Sequence, residues 1–161
     1  MPATSEAASK TGLTVDRDAN TIRLVREFGA PPLAIFDAWT QPEHVACWWD
    51  PAGERLAECD IDLRPGGSFK FVSQAHPEMP FTGVYRAIQP PERLEFDALG
   101  SRGRVALQRA GAGTRMVVEI GCASAEHLEQ FLKMGVDVGT AQTLDNLVVY
   151  VGQRRAAVAS A

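Results

Sequence analysis

The sequence predicts an α+β domain in which an antiparallel sheet of about seven strands curves around one long C-terminal helix. Three observations lead there. From Ala125 to Gln153, Leu132, Val136, Thr140, Thr143, Leu147 and Val151 recur at spacings of three or four, while Glu129, Lys133, Asp137, Asp145 and Gln153 take the opposite side. Between Leu56 and Cys122, six runs alternate with period two and are separated by turn residues. Ahead of them stand one more strand-like run and two short helical segments. Strands joined by short turns pair antiparallel, and a sheet with one apolar face needs a cover. The C-terminal helix, about 40 Å long at 1.5 Å per residue, spans a whole domain and supplies that cover.

The elements follow in order. Thr21 to Phe28 (TIRLVREF) sets Ile22, Leu24 and Arg26 against Arg23, Val25 and Glu27, a mixed pattern that suits an edge strand. Gly29 ends it, and Pro31-Pro32 open a helix on which Leu33, Phe36 and Trp39 or Ala38 share a period, since proline is tolerated in a first turn. Gln41-Pro42 starts a second short helix, EHVACWW, and Asp50-Pro51-Ala52-Gly53 makes a loop. The six alternating runs are LAECDIDL, SFKFVSQ, FTGVYRAI, RLEFDAL, RVALQRA and TRMVVEIGC. Their inward residues are Ala57, Cys59, Ile61 and Leu63, then Phe69 and Phe71, Leu94 and Phe96, Val105 and Leu107, and Met116, Val118 and Ile120. Ser124, with Glu126 and His127 behind it, reads as the N-cap of the long helix.

Composition narrows the function classes. With 161 residues, 45% of them hydrophobic, the chain can bury one sizeable core, read here as a single domain over 13–153 between disordered tails at 1–12 and 154–161. A net charge of −4 and the lack of a basic stripe argue against nucleic acid as a partner. No apolar run approaches about 18 residues, so no helix spans a membrane. MPATSEAASKTG lacks the apolar middle of a signal peptide, which makes the expected location cytoplasmic. Cys47, Cys59 and Cys122, an odd set without a CxxC spacing, read as reduced apolar fillers. No metal and no cofactor is expected, because His44, His76 and His127 have no ligand-spaced partners.

The middle of the helical stripe is unusual. Gly139, Thr140 and Thr143 put small groups where the flanks carry Leu and Val, which predicts a hollow between helix and sheet. APPLAIFDAWTQPEHVACWWDP, DIDLRPGGSFKF, FTGVYRAIQPPERLEF, GTRMVVEI and GTAQTLDNLVVYV, in that order from Thr21 to Gly152, resemble the START-like helix-grip (SRPBCC) superfamily. Within it they resemble the branch named after the activator of the heat-shock protein 90 ATPase. That resemblance implies a seven-stranded sheet wrapped around the C-terminal helix and, in many members, a pocket for an apolar or aromatic small molecule. It does not settle activity, because function varies widely on this fold. The branch carries tryptophan after the glycine of its helix motif, whereas this chain has Val136 after Gly135.

The expected ligand site has Gly139, Thr140 and Thr143 as floor, Val136 at one side, and Trp48, Trp49, Phe71, Phe81 and Tyr85 as walls. The bland alternative for Trp48-Trp49 is that both pack the small helices onto the sheet. Arg64-Pro65-Gly66-Gly67 lacks the GK[ST] ending of a phosphate loop and reads as a tight turn. Gly135 to Gly139 spells GxxxG, but Asp137 and Asp145 speak against a membrane helix pair. No catalytic residue is assigned; Tyr85, Glu119 and Asp60 become acid or base candidates only if strand faces are reversed. Three classes stay open: a carrier or sensor of an apolar small molecule, an enzyme (cyclase, dehydratase or hydrolase) acting on a bulky cyclic substrate in the same cavity, and a co-chaperone or stress-response interaction protein. The last transfers poorly, since the eukaryotic activator has a separate N-terminal chaperone-binding domain where a short polar tail stands here. A homodimer is left open.

Overall fold

A computed structural model describes residues 12–160, with side chains through Arg155. Its strands are β1 (Leu13–Asp16), β2 (Thr21–Phe28), β3 (Glu58–Ile61), β4 (Ser68–Val72), β5 (Phe81–Gln89), β6 (Arg93–Ala98), β7 (Ser101–Ala110) and β8 (Gly113–Gly121). Its helices are α1 (Pro32–Thr40), α2 (Pro42–Trp48), α3 (Ala125–Lys133) and α4 (Val136–Ser160). The strands form one sheet in the order β1-β2-β8-β7-β6-β5-β4-β3, every neighbouring pair antiparallel. From β3 to β8 the chain meanders through short turns. The jump from β2 to β3 is made by α1 and α2, which carry the chain from one side of the sheet to its far edge.

The inward faces agree with the alternation. Ile22, Leu24, Phe28, Phe69, Phe71, Leu94, Val105, Leu107, Met116 and Val118 are buried, and Phe96 and Ile120 are half-buried against the same core. Phe69 sits at its aromatic centre, with ring centroids 5.0 Å from Phe71, 5.1 Å from Tyr85 and 5.5 Å from Phe96. The outer face carries cross-strand charge, Asp97 of β6 accepting from Arg86 of β5 at 2.5 Å and from Arg102 of β7.

Four expectations are corrected. The sheet has eight strands among the described residues, because Leu13–Asp16 folds back on Thr21–Phe28 through a turn in which the Asp16 carboxylate accepts from the Asp18 and Ala19 N–H groups at 3.0 and 3.1 Å. The Thr21–Phe28 strand is therefore interior to the sheet, between β1 and β8. The long helix is two helices: α3 ends at Lys133, Gly135 takes φ +76°, where a side chain is strained, and α4 begins at Val136 and runs to Ser160, past the Gln153 at which the sequence reading ends it. Lastly, Leu33 and Leu63 are 54% and 42% exposed and Ala57 is exposed; β3 is a four-residue edge strand, too short to hold Ala57 and Leu63 in its register. The expected tail at 1–12 lies, apart from Gly12, outside the described residues.

Truncating Phe69 to alanine removes the centre of the aromatic cluster and is expected to lower unfolding free energy by about 3–5 kcal/mol in a denaturant titration. Asp97 gives a pH signature. Hydrogen bonding from Arg102, and secondarily from Arg86, holds its carboxyl below the ordinary range despite some desolvation. A folded-state pKa below the unfolded one contributes stability above the unfolded value, and that stability is lost as pH falls through the folded value. The difference in stability between wild type and Asp97→Asn should thus be fully present above about pH 5 and shrink below about pH 4. A difference independent of pH from 2 to 7, on the order of the whole titration range, would show that the ion pairs contribute nothing.

Candidate functional site

The first two turns of α4 leave a gap above the inward face of the sheet. Leu147 and Val151, farther along the helix, are buried in the core, but Val136, Gly139, Thr140 and Thr143 face a cavity of about 280 Å³. The opposite wall comes from the sheet: Phe81 of β5, Phe96 and Ala98 of β6, Ser101 and Gly103 of β7, and Val118 and Ile120 of β8. Trp39 of α1 and Trp49 with Pro51 close one side, and Phe131 of α3 with Leu99 of the β6–β7 turn close the other.

Polar bonds on both flanks hold α4 over this gap. Arg26 of β2 donates through Nε to Asp145 Oδ1 at 2.9 Å and through Nη2 to the Ala141 carbonyl at 3.2 Å. From the opposite flank, the Thr143 hydroxyl donates to the Trp49 carbonyl at 3.1 Å and Asn146 Nδ2 to the Asp50 carbonyl at 2.9 Å. These bonds need the strand and the loop at a set distance from the helix.

Two glycines shape the space. A Cβ on Gly139 would have nothing within 4 Å, so the helix leaves room there and no strand approaches it. A Cβ on Gly103 would lie 2.5 Å from Phe96 Cε2, so the Phe96 ring rests on the bare backbone of β7, opposite it in register. Gly103 lets an aromatic ring lie against the sheet where any side chain would push it into the cavity.

Of the nine site residues expected from sequence, the structure brings Trp49, Phe81, Val136, Gly139, Thr140 and Thr143 to the cavity. Trp48 is not there. It is fully buried, its indole N–H donates to the Ala38 carbonyl at 2.9 Å, and it packs edge-on against Trp39, which is the bland alternative. Phe71 and Tyr85 line a neighbouring gap of about 10 Å³, no larger than a water, behind Trp49. Phe96, Val118 and Ile120 were placed on the inward face but not at the site. Phe131 joins the lining because the break at Gly135 turns α3 across the end of the cavity. Its signal in the sequence is that glycine.

No charged or titratable side chain lines the cavity. Of its hydroxyls, Ser101 donates to the Ala98 carbonyl at 2.7 Å and Thr143 to Trp49. The Thr140 hydroxyl and the Trp49 indole N–H have no hydrogen-bond partner among the described residues. The acid or base candidates stay away from it. Glu119 pairs with Arg23 at 3.7 Å on the outer face, and Asp60 is exposed on the edge strand. Burial holds the Tyr85 phenol well above its ordinary range and pushes the Cys59 thiol up to about 11, so neither is ionised near neutrality. Among the described residues, no group of three His, Cys, Asp or Glu side chains could hold a metal ion, and no helix is long and apolar enough to cross a membrane.

A sheet closed around a helix with an apolar hollow between them defines a helix-grip domain. The family model described as "Activator of Hsp90 ATPase homolog 1-like protein" matches residues 29–152, and the chain belongs to that family. Solved structures share the fold. Protein NE0264 from Nitrosomonas europaea is 25% identical, with 84% of this chain and 96% of that one covered at a TM-score of 0.76. Protein Ms6760 from Mycobacterium smegmatis is 22% identical, covers 88% and 97%, and has a TM-score of 0.75. CalU16 from Micromonospora echinospora is 23% identical over 92% and 88%, at 0.60. No curated protein shows significant sequence similarity to the chain.

Because Gly139 has helical φ and open space at its Cβ, Gly139→Ala should raise unfolding free energy by about 0.5–1 kcal/mol. A destabilised variant would mean that the helix and a strand touch there.

Proposed function

We propose that this protein is a small-molecule binding module, a carrier or sensor that holds one uncharged, mainly apolar or aromatic ligand between the sheet and α4. The observation that carries this is the lining: aromatic and aliphatic side chains around about 280 Å³, with not one charge among them. A charged ligand would lose its hydration there with no counter-ion in return. A volume of that size suits a compact ring system of about fifteen non-hydrogen atoms. The free Thr140 hydroxyl and Trp49 N–H suit one polar substituent and set its orientation.

The enzyme alternative needs an ionisable group inside the cavity, and the lining contains none. The interaction alternative needs an exposed apolar patch on the sheet. The exposed large hydrophobic residues among those described, such as Leu33, Met79, Leu99, Met134 and Val138, lie instead on helices, loops and turns.

Gly139→Leu tests the reading, because leucine fills the void without meeting a strand. Titrated with the neutral dye N-phenyl-1-naphthylamine, wild type should bind saturably. The variant should bind at least about tenfold more weakly while its melting temperature is equal or higher. Unchanged dye affinity in a folded variant would overturn the cavity as the binding site.

A further inference from the structure

A second cavity, of about 340 Å³, opens near the other end of α4, roughly 20 Å along the helix from Val136 at 1.5 Å per residue. Its base is apolar, formed by Ala34 and Ala38 of α1 and Val151 of α4. His44 of α2 and Tyr150 of α4 make the wall, their side chains hydrogen-bonded through Nδ1 and the phenol, with ring centroids 5.7 Å apart. Arg154 and Arg155 make the rim, and the Arg154 guanidinium stands 5.7 Å over the Tyr150 ring. The cavity is therefore apolar at one end and cationic at the other.

The protonation pattern leaves the two arginines as its only fixed cations. Burial, then the Arg154 charge, holds His44 below the ordinary imidazole range, against the weaker pull of Glu43 and Asp37. Burial holds Tyr150 above the ordinary phenol range. Near neutrality the Tyr150 O–H thus donates to an uncharged His44. Neither Arg154 nor Arg155 forms a salt bridge among the described residues, unlike Arg26, Arg86 or Arg102. A planar guanidinium matches a carboxylate with two parallel N–H bonds. Among the described residues, the lining adds no backbone N–H cradle or lysine beside the two guanidinium groups, and its apolar base suits the alkyl part of an organic acid.

We propose that this cavity is a second binding site, separate from the grip cavity, for a small organic carboxylate whose anion sits on Arg154 and Arg155 and whose short apolar tail lies on Ala34, Ala38 and Val151. Calorimetric titration of the full chain with octanoate, and with octanol as the uncharged control, tests it. Octanoate should bind saturably, and more tightly than octanol. Arg154→Gln should weaken octanoate by about tenfold or more, the loss of a charge-assisted bidentate contact, while N-phenyl-1-naphthylamine binding stays as in wild type. Gly139→Leu should leave octanoate binding intact, which separates this site from the grip cavity. The proposal is overturned if octanoate does not saturate, if Arg154→Gln binds it equally well, or if Gly139→Leu abolishes it. Tighter binding of a peptide ending in a free carboxylate than of octanoate would assign the site to a protein terminus and overturn the small-molecule reading.

Discussion

The structure depends on the way α4 is suspended. A helix over an apolar sheet ordinarily sinks until side chains interlock, yet here the first two turns leave a gap beneath them. The Arg26 side chain is only 10% exposed, so its guanidinium must find acceptors inside the fold, and it finds them in Asp145 and the Ala141 carbonyl. On the other flank Thr143 and Asn146 hold the carbonyls of Trp49 and Asp50. Sliding α4 down toward the sheet would break bonds on both sides and strand a buried charge. Below the helix, Gly139, Thr140 and Val136 are too small to fill what remains.

The aromatic cluster sets the other boundary. Trp49 packs 4.9 Å from Phe71 and 5.1 Å from Phe81, and Phe71 stacks on Phe69 at 5.0 Å. This continuous body of rings ties the loop after α2 to β4 and β5. It absorbs Phe71 and Tyr85 into solid packing and leaves the rings of Trp49, Phe81 and Phe96 facing the hollow. Charge is kept outside, in cross-strand rows such as Arg86–Asp97–Arg102 and Lys70–Glu58. Such rows make the uncovered face of the sheet a poor partner for another apolar surface.

Much of this was legible in the sequence. The inward positions from Phe69 to Ile120 follow from period-two alternation, and the small stripe at Gly139, Thr140 and Thr143 marked the place of the hollow. Gly135 was read as an interior helix glycine because the apolar stripe continues across it, from Leu132 to Val136. Only its positive φ shows the break. Leu13–Asp16, with four residues, is too short for a period to emerge. Trp48 and Trp49 could not be told apart by composition. Adjacent residues on a helix end point about 100° from one another, so one enters the core and the other the cavity.

Periodicity is a local property, set by the twist of each element, and it is why the sequence by itself determined most strand faces, the order of the elements from Thr21 onward and the floor of the cavity, while the ordered motifs carried the family. A void is different in kind, because it exists only between elements that are distant in the chain. The closure by Phe131, the resting of Phe96 on Gly103, and the retreat of Trp48, Phe71 and Tyr85 into the core were decided by the tertiary structure alone, where the tethers of α4 and the competition among aromatic rings for the same space determine which surfaces stay bare.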